Sequence, residues 1–214
     1  MSASATVDAE DFLPDRRNLT ELRRAVQSCR GCALYADASR AVFGEGLRRS
    51  RLMLIGETPG DVEDRTGRPF TGPAGHLLDK ALSAAEIDRS EVYLTNAVKH
   101  FRFVTRGATG KRRIHQTPTA GQIRACHPWL RSELETVRPE GVVLLGSVAG
   151  KSIFGPDYRV GDHRGHIVGL PDTTAWSVAT IHPSAALRAD DREVMFAGLV
   201  DDLRLAASQL SGPQ

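Results

Sequence analysis

The stretch that decides the fold is Arg51-Leu-Met-Leu-Ile55 with the Gly56-Glu-Thr-Pro-Gly60-Asp61 that follows it. Three further apolar runs resemble it: Val92-Tyr-Leu-Thr95, Gly141-Val-Val-Leu-Leu145 and Trp176-Ser-Val-Ala-Thr-Ile181. Short apolar runs of this kind suit parallel strands that are buried on both faces. Helical patterns separate the runs, so the sequence predicts a three-layer α/β/α sandwich around a four-stranded parallel sheet.

A single domain is expected to account for all 214 residues. Residues 1–18 are predicted to form a flexible N-terminal arm. The segment 104–118 is long, polar and contains glycine, which is typical of a functional loop. Helices are predicted over residues 19–27, 74–85, 119–137, 147–154 and 192–207.

The composition is that of an ordinary soluble protein, with 41% hydrophobic and 25% charged residues. No apolar run is long enough to span a bilayer, and the acidic N-terminus lacks the features of a secretory signal. A cytoplasmic location, a monomeric state and no membrane partner are therefore expected.

Basic residues concentrate in one segment, although the formal net charge is only +2. This segment, residues 99–113, contains no acid. Its cations are Lys99, Arg102, Arg106, Lys111, Arg112 and Arg113. Such a run indicates either a solvated loop or a surface that contacts phosphates.

The cysteine count is odd, which argues against a disulfide framework in a cytoplasmic protein. Cys29 and Cys32 form a Cys-x-x-Cys pair that can ligate a metal or act as a redox pair. The pair follows a helical stretch rather than a strand, which disfavours the redox interpretation.

Ligands of open parallel sheets bind beyond the carboxyl ends of the strands. Four polar sites follow the predicted strands, and this placement indicates a functional site at one edge of the sheet. They are Gly56 to Asp61, then Asn96 with Lys99 and His100, then Gly146 with Ser147, and finally His182-Pro-Ser184.

Several motifs resemble those of family 4 uracil-DNA glycosylases, in the same order. The first is Gly56-Glu57-Thr58-Pro59-Gly60-Asp61, with Gly67-Arg-Pro-Phe70-Thr-Gly72-Pro-Ala-Gly75 after it. Val92-Tyr-Leu-Thr-Asn96-Ala-Val-Lys99 and His182-Pro-Ser184 are similar to the two other motifs. The correspondence runs from about Ala25 to Ala206.

The segment Lys111-Arg-Arg-Ile-His115-Gln-Thr-Pro118 resembles the loop of the UdgX group, whose members bond covalently to DNA through the loop histidine. His100 fits that group too, because ordinary family 4 enzymes usually have cysteine there. The group usually has glutamine where this chain has Thr58, so the contacts of a longer amide are missing.

The resemblance implies a role for each motif residue in uracil excision. Phe70 is expected to stack on a flipped base, and the amide of Asn96 matches both O4 and N3–H of uracil. His182 is expected to donate to uracil O2 as negative charge develops. Gly56, Thr58, Gly60 and Ser184 are expected to line the substrate site, where glycine lets the backbone approach closely.

Carboxylates and a second histidine are expected to act on the sugar. Glu57 and Asp61 can stabilise the cationic sugar or orient a nucleophile, or they can simply be acids at a helix start. His115 is expected to bond to the sugar C1′, with Glu57 accepting the other imidazole proton. Lys99, Lys111, Arg112 and Arg113 are expected to contact the DNA backbone.

A metal site is predicted from Cys29, Cys32, His100 and Cys126. Three cysteines and one histidine fit zinc as well as an iron–sulfur cluster, and spacing alone does not choose between them. The resemblance favours a [4Fe–4S] cluster with His100 as the fourth ligand, while His127 is a weaker ligand candidate.

Three functions remain open from the sequence. The first is a single-turnover glycosylase that cross-links to uracil-containing DNA, with single-stranded DNA preferred. The second is a multiple-turnover family 4 glycosylase in which His115 positions only water or phosphate. The third is a non-catalytic binder of single-stranded or damaged DNA.

Overall fold

A computed structural model describes residues 8–106 and 112–211. Its strands, numbered along the chain, are β1 Leu52–Gly56, β2 Val92–Asn96, β3 Phe103–Arg106, β4 Arg112–His115, β5 Gly141–Leu145, β6 Ile167–Gly169 and β7 Trp176–Thr180. The main sheet has the order β2-β1-β5-β7-β6. The four predicted strands pair in parallel, and β6 adds a fifth, antiparallel strand next to β7. The sequence missed β6 because it is short and mostly exposed.

Helices cover both faces of the main sheet, so the predicted three-layer α/β/α sandwich is confirmed. They are α1 Leu19–Ala25, α2 Asp61–Thr66, α3 Pro73–Ala84, α4 Ala120–Val137, α5 Gly146–Phe154, α6 Pro183–Arg188 and α7 Arg192–Ser211. Contacts join α4 to α1 and α5 in one layer, and α3, α6 and α7 to one another in the other.

Each face of the sheet has its own apolar core, because successive side chains of a strand point to opposite faces. In β1, Met53 and Ile55 belong to the core beneath α4 and α5. Leu52 and Leu54 belong to the core beneath α3 and α7. This two-sided burial explains why β1 is apolar without alternation.

The N-terminal segment was expected to be a flexible arm, but its described part contacts the body of the protein. A short 3-10 helix at Ala9–Phe12 packs against α4, and Ala9 is fully buried. Glu10 Oε2 also lies 2.8 Å from Arg131 Nη2 on α4. The expectation of a free arm is therefore wrong for residues 8–18.

The predicted functional loop contains a β-hairpin. Strands β3 and β4 pair antiparallel as a separate two-stranded sheet, with Phe103 opposite His115. The pairing continues where Gln116 N–H donates to the Arg102 carbonyl at 2.9 Å. Lys111, one of the predicted phosphate contacts, lies outside the described residues.

Within the described ranges, no helix is both long and apolar enough to cross a membrane.

Lys99 was expected to contact phosphate, but its side chain is fully buried beneath the carboxyl end of β2. Its Nζ donates to Glu133 Oε2 at 2.5 Å, to Thr95 Oγ1 at 2.8 Å and to the Asn96 carbonyl at 2.7 Å. The Tyr93 hydroxyl donates to the other carboxylate oxygen at 3.0 Å. Since a buried charge needs a partner, Lys99 serves this network and is unavailable to DNA.

The substitution Lys99→Met is expected to destabilise the fold by about 3–5 kcal/mol, because it leaves Glu133 charged, buried and unpaired. Urea unfolding of the purified protein measures this. Lys99→Met combined with Glu133→Gln removes both charges and should recover part of the loss. A single substitution that costs less than about 1 kcal/mol would contradict a buried ion pair.

Candidate functional site

The carboxyl edge of the sheet brings the predicted polar positions together. Gly56 ends β1 beside Asn96 at the end of β2, and Ala97 N–H donates to the Gly56 carbonyl at 3.0 Å. On the other side, Gly146 after β5 has a φ of 85°, and an added Cβ would lie 2.9 Å from His182 Cβ. Glycine at this position therefore allows β5 and the His182 turn to meet closely.

The side chains of Asn96 and Phe70 converge on Gly56 at the end of β1, and we call this place the slot. Asn96 and Phe70 are both buried, at 4% and 5% exposure. A Cβ on Gly56 would overlap Asn96 Oδ1 and would lie 2.7 Å from Phe70 Cζ, so glycine is needed for both side chains to pack against the end of β1. An aromatic ring and a side-chain amide thus lie next to each other at the strand end, and such groups suit a planar polar ligand.

The His182 ring lies near this slot, with its centroid 6.5 Å from that of Phe70. Its Nδ1 accepts the Ser184 N–H at 3.2 Å and lies 2.8 Å from Ser184 Oγ. A neutral ring that accepts at Nδ1 carries its proton on Nε2, which leaves that nitrogen as a donor. Burial, with the nearby His115 and Arg188, lowers the pKa of His182 to about 4, so the ring is neutral at pH 7.

Glu57 and His115 form a second pair of titratable groups. Glu57 Oε1 lies 3.7 Å from His115 Nε2. This carboxylate oxygen is buried and has no hydrogen-bond partner in the described part of the chain. Burial raises the pKa of Glu57, although the Thr117 hydroxyl and Arg188 oppose this. Burial and then Arg188 lower the pKa of His115, which favours a neutral imidazole.

The hairpin that carries His115 is anchored to α2 by Arg113. Arg113 Nη1 lies 2.6 Å from Asp64 Oδ2, and its Nε donates to Asp61. The guanidinium also stacks over the rings of Phe101 and Phe103, 5.4 and 5.0 Å from their centroids. Arg113 is only 14% exposed, so its predicted role as a free phosphate contact is wrong.

The catalytic role expected of Asp61 is not supported by its surroundings. Its carboxylate is occupied by Arg113 and by Arg65, whose Nη2 lies 3.0 Å away. We therefore assign Asp61 to anchoring the hairpin. Because residues two apart on a strand share a face, the anchor at Arg113 also turns His115 toward Glu57.

Sequence reasoning missed two acids of α2 that shape the site. Glu63 accepts the Gly60 N–H at 3.1 Å and the Gly72 N–H at 2.8 Å, so it joins the two loops around Phe70. Asp64 is fully buried and holds both Arg113 and the Ser39 N–H. Their spacing after Gly60 looked like ordinary helix-start acids, which concealed these roles.

Thr58 and Arg188 also differ from what the sequence suggested. The Thr58 hydroxyl donates to the His100 carbonyl at 2.7 Å, so it supports the loop beneath the slot. Arg188 was not predicted, yet its charge acts on Glu57, His115 and His182. The signal was its position four residues after Ser184, which places it one helical turn along α6.

Of the four predicted phosphate contacts, Arg112 is exposed on the hairpin. It remains a candidate for that role.

Cys29 and Cys32 lie close enough to Cys126 for their charges to raise the pKa of its thiol. Burial raises the pKa of Cys126 to about 12. Its Sγ accepts the Lys99 N–H at 3.2 Å, and Cys29 Sγ accepts the Trp129 indole N–H at the same distance. Such N–H···S bonds stabilise thiolates that ligate metal.

His100 is also buried, and burial lowers its pKa to about 4, against the opposing charge of Asp64. A neutral imidazole is the form that ligates metal. Over residues 8–106 and 112–211, however, no three His, Cys, Asp or Glu side chains converge closely enough to hold one metal ion.

Comparison with known proteins agrees with the fold. The family model for the uracil DNA glycosylase superfamily matches residues 43–204. The chain therefore belongs to the uracil DNA glycosylase superfamily.

Its relatives include the type-4 uracil-DNA glycosylase of Thermotoga maritima, 33% identical over 84% of this chain and 88% of that protein. The type-4 enzyme of Pyrobaculum aerophilum is 30% identical over 80% and 85%. A type-5 uracil-DNA glycosylase of the same organism is 32% identical over 89% and 85%.

Arg113→Gln is expected to loosen the hairpin, because Asp64 loses its buried partner. Hydrogen exchange at the backbone amides of β3 and β4 should become at least about tenfold faster. Arg112→Gln, an exposed change on the same strand, is the matched control and should leave exchange unchanged. Equal protection in the two variants would show that Arg113 does not anchor the hairpin.

Proposed function

We propose that this chain is a uracil-DNA glycosylase that excises uracil from DNA and then becomes bonded to the deoxyribose C1′ through His115. The observation that carries the proposal is the buried, unpartnered Glu57 Oε1, 3.7 Å from His115 Nε2. A carboxylate oxygen without a partner beside a neutral imidazole suits a site where positive charge develops during reaction.

Recognition of uracil is assigned to the slot between Phe70 and Asn96. A base inside a duplex cannot reach this slot, so the nucleotide must be flipped out or already single-stranded. Single-stranded DNA avoids the cost of unpairing, and we therefore propose it as the preferred substrate. The Asn96 amide pairs with O4 and N3–H of uracil, whereas cytosine presents the opposite pattern of donor and acceptor.

Bond cleavage is assigned to charge stabilisation at both ends of the glycosidic bond. The bond between N1 and C1′ breaks, and its electron pair leaves with the uracil. His182 Nε2–H donates to uracil O2 as the negative charge forms there. Glu57 faces the cationic sugar that remains.

Capture of the sugar is assigned to His115. One imidazole nitrogen of His115 bonds to C1′, and the proton on the other nitrogen passes to Glu57. The low pKa of His115 supports this step, because only the neutral ring is a nucleophile. The new C–N bond has no good leaving group, so each molecule reacts once.

A [4Fe–4S] cluster is proposed as the metal centre, held by Cys29, Cys32, Cys126 and His100. The buried thiols and their N–H donors fit such a group. Each ligand of a cluster binds its own iron, whereas a single zinc ion needs four ligands within about 2.3 Å of one point. When bound, the cluster would tie the N-terminal segment to β2 and α4, a structural task.

His115→Ser is expected to lower the yield of the covalent product by about two orders of magnitude or more, since preorganised attack is lost. Water can then reach the sugar, so uracil is still released. The measurement is a denaturing gel of the protein mixed with a uracil-containing single-stranded oligonucleotide, with free uracil quantified in parallel. His76→Ser, an exposed histidine on α3, is the control and should cross-link normally.

The same gel separates the competing functions. A wild-type protein that releases uracil without a band shift would be a multiple-turnover glycosylase. Binding with neither product nor adduct would indicate a DNA-binding protein without catalysis. A cross-link that persists in His115→Ser would refute His115 as the nucleophile.

Cys126→Ser is expected to lose the brown colour of the cluster together with bound iron and sulfide. His100→Ala should lower iron content as well, whereas His127→Ala should not. Elemental analysis of the three purified variants is the measurement. A colourless wild type that contains zinc would overturn the cluster.

A further inference from the structure

A pocket of about 390 Å³ opens beside the loop that carries Phe70. Three guanidinium groups line it, from Arg23, Arg40 and Arg68. The residues Thr66 to Pro69 form one wall, and the segment from Arg40 to Glu45 forms another. The pocket is therefore basic and is separate from the slot between Phe70 and Asn96.

Charge in this pocket is unbalanced. Glu45 is the one acid among its lining residues. Arg68 binds Glu45 through two hydrogen bonds of 2.7 and 3.0 Å, and this pairing lowers the pKa of Glu45. Glu45 is thus ionised at pH 7, and three guanidinium groups against one carboxylate leave two net positive charges.

Two of the three arginines are held in place by the protein, and the third is free for a ligand. Arg23 donates to the Gly44 carbonyl at 3.0 Å and stacks over Phe43. Arg40 crosses Gly67, where an added Cβ would lie 3.1 Å from Arg40 Cδ. In the described part of the chain, Arg40 is exposed and makes no ion pair or side-chain hydrogen bond.

The pocket and the proposed site share neighbouring residues along the chain. Pro69 lines the pocket and Phe70 lines the slot, and consecutive Cα atoms are only 3.8 Å apart. Ser39, next to Arg40, contacts Asp64 and Arg113 of the hairpin anchor. The pocket therefore lies close to both the base slot and the anchor of His115.

We propose that the pocket of Arg23, Arg40 and Arg68 binds a backbone phosphate of the DNA strand that flanks the flipped nucleotide. This rests on the proposed function, and it names a DNA contact that Lys99 and Arg113 cannot supply. An arginine fork matches phosphate geometry, and a free guanidinium in a positive pocket meets an anion without breaking an existing pair.

The test measures salt dependence of binding with Arg40→Gln. The probe is a fluorescent single-stranded oligonucleotide with one 2′-fluoro-deoxyuridine, a nucleotide that resists glycosidic cleavage, so anisotropy reports binding alone. We expect affinity to fall roughly three- to tenfold at about 0.1 M salt. The slope of log affinity against log salt should decrease in magnitude by about 0.7–1.

Matched variants separate charge from structure. Arg138→Gln removes an exposed arginine just before β5, at the opposite edge of the sheet, and should change neither affinity nor slope. Arg40→Lys keeps the charge and should keep the slope. Arg40→Gln should retain the wild-type melting temperature, and an unchanged slope in this variant would overturn the proposal.

Two further measurements distinguish DNA binding from binding of free phosphate and from failure of the proposed function. Inorganic phosphate at matched ionic strength tests the other source of the same chemistry. If Arg40→Gln loses phosphate binding but keeps the DNA slope, the pocket serves a free phosphate and the DNA assignment is wrong. Uracil release by the wild type is measured separately, so a failure of the proposed function is distinguished from a failure of this pocket.

Discussion

The buried pair of Lys99 and Glu133 joins the segment after β2 to α4 beneath the site. Glu133 lies on α4, whereas Lys99 follows β2, and both side chains are fully excluded from solvent. The same lysine donates through Nζ to the Asn96 carbonyl and through its backbone N–H to Cys126. One residue therefore contacts both Asn96 at the slot and Cys126 on α4, so Lys99 links these two regions.

His182 and His115 lie in different surroundings. His182 is fixed by the Ser184 backbone N–H, so its proton position and its donor direction are set before any ligand arrives. His115 is half-exposed on the hairpin and has a carboxylate nearby but no hydrogen bond to it. The first arrangement suits a fixed donor and the second suits a group that must move to react.

Much of the fold followed from the sequence, because parallel strands buried on both faces produce continuous apolar runs. The clustering of Gly56, Asn96 and His182 at one edge followed as well, since it depends only on strand direction. The sequence did not predict which charged side chains are exposed and which are paired inside the protein. Whether Lys99 and Arg113 faced solvent depended on Glu133, Asp61 and Asp64, which are distant in sequence, and a basic run looks the same in either case.

The hairpin is an appendage whose two ends are already joined, since Gln116 bonds to Arg102 at its base. It contributes no strand to the main sheet. A short turn in its place would leave the main sheet intact but would leave the buried Asp64 without Arg113, so the hairpin and the acids of α2 form one unit. A transplant of residues 103–115 into a relative would therefore also need acids matching Asp61 and Asp64, because these hold the strand that carries His115.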